Sequence, residues 1–128
     1  AIELNPTYAL AYNNRGNAQI SLGKYNEAIA DFTKAIELDP TDANAYYNRG
    51  VTQDNLGKYN EAIADYTKAI ELDPTHANAY NNRGAAQEDL GKYNEAIADY
   101  TKAIELNPGF NLAVKNQKVL MDKINSKK

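Results

Sequence analysis

Apolar residues recur along this chain with a helical spacing that restarts three times. Tyr25, Ala28, Ile29, Phe32, Ala35 and Ile36 stand at i, i+3, i+4, i+7, i+10 and i+11, which lines one face of a helix. We term this predicted segment helix B. The preceding stretch "ALAYNNRGNAQISL" holds good helix formers and no internal proline, and it predicts a more polar helix A. Gly23, Gly57 and Gly91 separate A from B, since glycine adopts the left-handed conformation that ends a helix at little cost. Asn26, Asn60 and Asn94 follow as the expected N-caps of helix B. Helix B is predicted to stop at "ELDP" or "ELNP", because proline disfavours helical geometry in the residue before it and has no N–H to donate. Each unit therefore reads as a helical hairpin.

The hairpins are near copies. Pro6, Pro40, Pro74 and Pro108 stand 34 residues apart, and "GKYNEAIAD" occurs unchanged at 23–31, 57–65 and 91–99. Blocks starting at Ala9, Ala43 and Ala77 align without gaps, neighbouring blocks agreeing at 26 of 34 positions. A fixed period of this size marks a solenoid, in which a unit cannot bury its own apolar face and must stack on its neighbours. Small residues stand where helices must approach closely: Gly16, Gly50 and Gly84 on helix A, with Ala28, Ala62, Ala96, Ala35, Ala69 and Ala103 on helix B.

With Ala9 as position 1, Tyr12, Gly16, Ala28, Phe32, Ala35 and Pro40 match the pattern of the tetratricopeptide repeat at positions 4, 8, 20, 24, 27 and 32. The other blocks repeat the matches, with Tyr66 and Tyr100 at position 24. The chain thus resembles that family over nearly all its length. The resemblance implies an all-α fold, a right-handed superhelical α-solenoid of antiparallel helical hairpins. It also implies the organisation: 1–8 the tail of a preceding repeat, repeats at 9–42, 43–76 and 77–110, and a capping helix at 111–128. Two departures recur in every block. Arg15, Arg49 and Arg83 replace leucine, and Gln19, Gln53 and Gln87 replace tyrosine. An arginine stem can lie on apolar surface with its head paired to an acid, for which Asp39 or Asp73 is the expected partner. The glutamines are expected to need partners for their amides and to make the groove more polar.

The ends differ from the repeats. "AIELNP" reads as the tail of a helix B, so a segment of a longer array is expected here. After Pro108 the repeat fades: Ala113, Leu120, Met121 and Ile124 form an apolar stripe among lysines, and Lys118 stands where the repeats have glycine. This predicts a cap that solvates the last repeat.

Composition narrows the function classes. The 128 residues carry a net charge of −3, but residues 1–110 hold 9 basic and 16 acidic side chains against 5 and 1 in 111–128. An acidic body argues against nucleic acid, whose phosphates require clustered cations. No apolar run nears the roughly 20 residues of a bilayer helix, and neither a signal peptide nor a membrane partner is expected. A soluble, cytoplasmic protein is the expectation. The absence of cysteine excludes disulfides and thiolate chemistry. His76, the single histidine, lies in an inter-repeat junction with no acid or nucleophile placed to serve it. The carboxylates lack metal-loop spacing. No catalysis, metal or cofactor is expected.

What remains is binding. Variation between blocks concentrates at positions 2, 5, 9, 12 and 13 of helix A, which step by three or four and share a helical face. These are Leu10 and Asn78; Asn13, Tyr47 and Asn81; Asn17 and Val51; Asp54 and Glu88; and Asp89, among others. Asn14, Asn48 and Asn82 occupy position 6 without change. The resemblance implies that this face lines a concave groove for a peptide segment of a partner. An asparagine row offers donors and acceptors to an extended backbone, as in the asparagine ladder of some repeat arrays, with the varied residues setting preference. Chaperone-binding members of the family grip a terminal carboxylate with cations at position 5 of the first repeat and positions 2 and 6 of the third. Asn13, Asn78 and Asn82 stand at those places, so a neutral to basic partner is expected and acidic chaperone tails are not. The competing reading is structural: end-to-end stacking of near-identical repeats into oligomers or filaments.

Overall fold

The computed structural model describes residues 6–126, which form seven α-helices: α1 Pro6–Ser21, α2 Tyr25–Leu38, α3 Ala43–Asn55, α4 Tyr59–Leu72, α5 Ala77–Asp89, α6 Tyr93–Leu106 and α7 Asn111–Asn125. Sequence neighbours pack on one another from α1 through α7, and the first helices of successive hairpins also meet, α1 on α3 and α3 on α5. The result is an α-solenoid of hairpins, and no described residue is in a strand. Its first helix opens earlier than expected. Pro6 begins α1, so residues 6–8 belong to that helix and not to a preceding tail; proline suits a first helical turn, where its missing N–H leaves no bond unmade. The rest of the expected tail, residues 1–5, lies outside the described residues.

The inter-helix turn shows what the repeated nonapeptide does. Gly23 has φ +75°, its N–H donates to Ile20 O at 3.0 Å, and Lys24 N–H donates to Gln19 O at 2.8 Å. This paired bonding closes a helix through a left-handed glycine, and it recurs at Gly57 and Gly91. Helix B then starts at Tyr25, Tyr59 and Tyr93 after Lys24, Lys58 and Lys92, none of which caps through its side chain. Asn26, Asn60 and Asn94 are exposed residues inside the helices, so the expected caps are corrected: the backbone turn already positions the chain.

Close packing of A on B depends on the helix A glycines. Ala28, Phe32 and Ala35 are fully buried, as are Ala62, Tyr66 and Ala69. A Cβ placed on Gly16 would stand 2.6 Å from the Phe32 ring; on Gly50 it would be 2.8 Å from the Tyr66 ring, and on Gly84 2.9 Å from that of Tyr100. At the far end, Ala113 and Leu120 of α7 are buried, Leu120 against Ala96 and Tyr100 with Ile124 beside it. Met121, expected in this stripe, is 44% exposed, because it lies on the side of α7 where a further helix B would pack.

Candidate functional site: a polar hollow on the first helices

A hollow of about 320 Å³ opens across the first helices, lined by Leu10, Asn13, Asn14 and Asn17 of α1, Asn44, Tyr47 and Asn48 of α3, Asp42 before it, and His76 and Asn78 at the start of α5. Seven expected site residues therefore line one concavity: Leu10, Asn13, Asn14, Asn17, Tyr47, Asn48 and Asn78. Val51, Asp54, Asn81, Asn82, Glu88 and Asp89 lie outside it, farther along α3 and α5. Asn14 is exposed and Asn48 half-buried, and among the described residues neither amide side chain has a hydrogen bond. Asn82 differs: its Nδ2 donates to the Tyr47 hydroxyl at 2.9 Å and its Oδ1 accepts from Asn81 at 3.3 Å. The row of three is chemically uneven.

Position 5 points into the junction between hairpins. Asn81 is buried and its Oδ1 accepts from Asn116 Nδ2 of α7 at 3.1 Å, the same cross-repeat bond that Tyr47 receives from Asn82. Asn13 is also buried, its Nδ2 donating to Asp42 Oδ2 at 3.1 Å, but its Oδ1 has no partner. Burial pushes the Tyr47 hydroxyl pKa above its ordinary value.

Position 12 carries a structural role that the sequence reading assigned to ligand preference. Tyr66 and Tyr100 are buried, and their hydroxyls donate to Asp54 at 3.2 Å and to Glu88 at 2.8 Å. The first repeat has Ile20 and Phe32 at these two positions, with neither hydroxyl nor carboxylate. An acid at 12 thus accompanies a tyrosine at 24, and this pairing within the chain is the signal that identifies the contact. Burial, followed by the neighbouring carboxylate, raises the pKa of both phenols, and burial raises that of Asp54.

The arginine and glutamine departures meet the last residue of the nonapeptide. Arg49 Nε and Nη2 grip Asp65 at 2.7 and 2.8 Å, and Arg83 grips Asp99 with the same geometry. Arg15 holds Asp31 at 2.7 Å through both nitrogens. The expected partners Asp39 and Asp73 are corrected: each folds onto the threonine two residues later, Asp39 Oδ1 accepting from Thr41 N and Oγ1 at 3.1 and 2.6 Å. With its amide nitrogen facing the acceptors, Gln53 stands 2.9 Å from Asp65 Oδ2 and 3.1 Å from Glu61 O, and Gln87 meets Asp99 and Glu95 in the same way. Gln53 and Gln87 therefore face helix B, the buried Gln19 Oε1 has no hydrogen-bond partner, and none of the three lines the hollow. Arg49 and Arg83 reach Thr33 and Thr67 of the preceding hairpin at 3.3 and 3.2 Å, and Gln117 of α7 reaches Thr101 at 2.8 Å. These bonds set the register between repeats.

His76, read as a junction residue, shapes the hollow. Its Nδ1 accepts from Ala79 N–H at 3.2 Å, capping α5, which places the proton on Nε2, 3.2 Å from Asn44 Oδ1. Its ring lies 4.7 Å from that of Tyr47. Burial lowers its pKa. Asp42 is its counterpart one repeat earlier, accepting from Asn44 N–H at 3.0 Å. Sequence reasoning missed Asp42 and His76 as lining residues because they sit at the junction and not on the variable helix face, whereas Asn44 holds position 2 of that face beside Leu10 and Asn78. Among the described residues no group of three or more acidic, histidine or cysteine side chains is arranged to hold a metal ion, and no helix is long and apolar enough to cross a membrane.

Profiles of the tetratricopeptide repeat match residues 43–76 and 77–110, and further profiles of the repeat match 1–30 and 16–57. No curated protein matches the chain significantly. Solved structures do. The first such domain of Spaghetti (RPAP3), bound to the HSP90 peptide SRMEEVD, is 31% identical with a TM-score of 0.93, over 98% of this chain and 99% of that one. The second such domain of human RPAP3, in complex with the HSP70 peptide SGPTIEEVD, is 36% identical with a TM-score of 0.87, over 91% and 98%. The Arabidopsis OM64 domain is 32% identical with a TM-score of 0.89, over 91% and 97%. Period, hairpin geometry and profile matches over most of the sequence agree: the chain belongs to the tetratricopeptide repeat family.

Proposed function

We propose that the chain is a protein-interaction module that takes a peptide segment of a partner along the inner wall formed by α1, α3 and α5. The hollow of about 320 Å³, lined by seven residues expected from helix A, carries this reading. Two structural relatives are solved with bound peptides, which supports it further. Asn14 and Asn48 offer unengaged amides for a peptide backbone, while Leu10, Asn17, Tyr47, Val51 and Asn78 contact its side chains. Each contact contributes little, so affinity arises from several repeats together.

The partner differs in charge from the peptides of those relatives. Asn13, Asn78 and Asn82 replace the cations of a carboxylate grip; the Asn13 amide donates to Asp42 and that of Asn82 to Tyr47. Asp42 is the carboxylate that lines the hollow, and among the described residues no lysine or arginine lines it, so a neutral to basic segment fits and an acidic terminus is repelled. The test is a peptide array covering neutral, basic and acidic sequences, probed with the chain and with an Asn14→Ala, Asn48→Ala double variant. Neutral to basic binders that the double variant loses support the reading; selective binding of SRMEEVD overturns the charge preference, and binders unaffected by the double variant overturn the site.

End-to-end stacking is disfavoured by Lys118. It occupies the position of Gly16, where even a Cβ comes within 2.6 Å of an incoming aromatic ring, so α7 cannot admit another helix B in register. A sedimentation coefficient that stays constant with concentration is expected, and growth with concentration reinstates stacking.

A further inference from the structure

We propose that the corner of the hollow formed by Asn13 and Asp42 receives a cationic side chain, lysine or arginine, of the bound partner; this rests on the groove reading above. Three observations point there. First, Asn13 is 6% exposed and its Oδ1 has no hydrogen-bond partner, although its Nδ2 is committed to Asp42. A buried carbonyl left in this state has lost its water without gaining a partner, and an incoming donor removes that cost. Second, this vacancy is specific to the first junction. At the two later junctions the position 5 side chain is satisfied from the next hairpin, Tyr47 by Asn82 at 2.9 Å and Asn81 by Asn116 at 3.1 Å, whereas Asn48 makes no such bond to Asn13.

Third, the chemistry around the carbonyl selects charge. Asp42 supplies the one carboxylate that lines the hollow among the described residues; its Oδ2 accepts from Asn13 and its Oδ1 from Asn44 N–H, which leaves each oxygen a lone pair for a further donor. Among the described residues no lysine or arginine lines the hollow, and His76 accepts at Nδ1 as the neutral ring. Among the described residues the only formal charge at this site is negative. A cation bridging Asn13 Oδ1 and Asp42 would make charge-assisted bonds that a neutral donor cannot, and the Tyr47 and His76 rings, 4.7 Å apart, bound the same hollow beside its aliphatic stem.

The test uses the full chain, ¹⁵N-labelled, titrated with three blocked pentapeptides, Gly-Asn-X-Asn-Gly with X lysine, arginine or norleucine. The Asn13 side-chain amide and the Asp42 backbone amide are followed by NMR. The lysine or arginine peptide is expected to move both signals with saturation, and norleucine is expected to bind at least tenfold more weakly. Asp42→Asn keeps a capping oxygen for Asn44 N–H and is expected to weaken the cationic peptide about tenfold while leaving norleucine unchanged. Asn13→Leu, checked for folding by its melting curve, is expected to do the same. Equal response to all three peptides, no effect of Asp42→Asn, or a solution structure in which the Asn48 amide donates to Asn13 Oδ1 overturns the proposal. If array-selected peptides shift α1 and α3 signals but the cationic side chain leaves this corner unmoved, the inference fails while the groove reading stands. If no peptide of either kind shifts α1 or α3, the groove reading itself fails.

Discussion

The pairing of position 12 with position 24 makes a quantitative prediction that the chain controls internally. Tyr100 is 1% exposed and its hydroxyl donates to Glu88 at 2.8 Å, whereas the first repeat has Ile20 and Phe32 at the same places. Glu88→Ile leaves the phenol buried without its acceptor, a loss of about 2 kcal/mol. Tyr100→Phe forfeits the bond but leaves Glu88, which is half-buried, able to turn to water; about 1 kcal/mol is expected. The double variant recreates the first repeat's apolar pair, so its loss should be at most about 1 kcal/mol and the coupling energy about 2 kcal/mol. Urea denaturation followed by circular dichroism reads this directly. With an m-value near 2 kcal/mol/M, Glu88→Ile lowers the midpoint by about 1 M and the second substitution restores about half of it or more. Additive losses, or a single Glu88→Ile that leaves the midpoint in place, would show that the carboxylate is a surface residue with no hold on the ring.

Other substitutions probe the remaining contacts. Asp65→Ala strands the Arg49 guanidinium and the Gln53 amide at an 8% exposed site, and a loss of about 3 kcal/mol is expected by the same denaturation assay. Gly50→Ala gains up to about 1 kcal/mol of helix propensity but drives a methyl to 2.8 Å from a fully buried ring, so a net loss of about 1–2 kcal/mol is expected in thermal melts. His76 has a depressed pKa, so the folded state binds the proton more weakly than the unfolded chain does. Its contribution is complete above the unfolded value near 6.5 and is lost as pH falls through the lower folded value; His76→Asp, which imitates Asp42, should abolish the part of the acid sensitivity of stability below about pH 6.5 that belongs to this residue. An unchanged pH profile in that variant contradicts the assigned capping bond.

Much of the fold was legible because its signals are local and repeated. The 34-residue period, the apolar stripe of helix B and the glycine turns specify hairpins before any tertiary contact is considered. Helix starts were misplaced because Asn26 resembles a cap, while the bonds around Gly23 already direct the chain and leave that side chain in solvent. The Arg49 partner was misassigned because proximity in sequence favoured the junction acids. Asp65 instead lies three residues after Ala62 and four before Ala69, on the buried stripe itself, where a carboxylate requires a charged partner. The candidate site was half legible. Variation along helix A located Leu10, Asn17, Tyr47 and Asn78, and the unchanged asparagine row located Asn14 and Asn48, yet variation could not separate residues that face the hollow from Asp54 and Glu88, which answer buried phenols in the same hairpin. Asp42 and His76 escaped notice since a helix cap and a cavity wall look alike in sequence.

The most direct measurement is NMR mapping of a neutral or basic peptide selected from the array onto the ¹⁵N-labelled chain. The account predicts shifts concentrated on α1, α3 and the start of α5, including the Asn14 and Asn48 side-chain amides, with α2, α4 and α6 silent. Shifts confined to those outer helices or to α7 would contradict it.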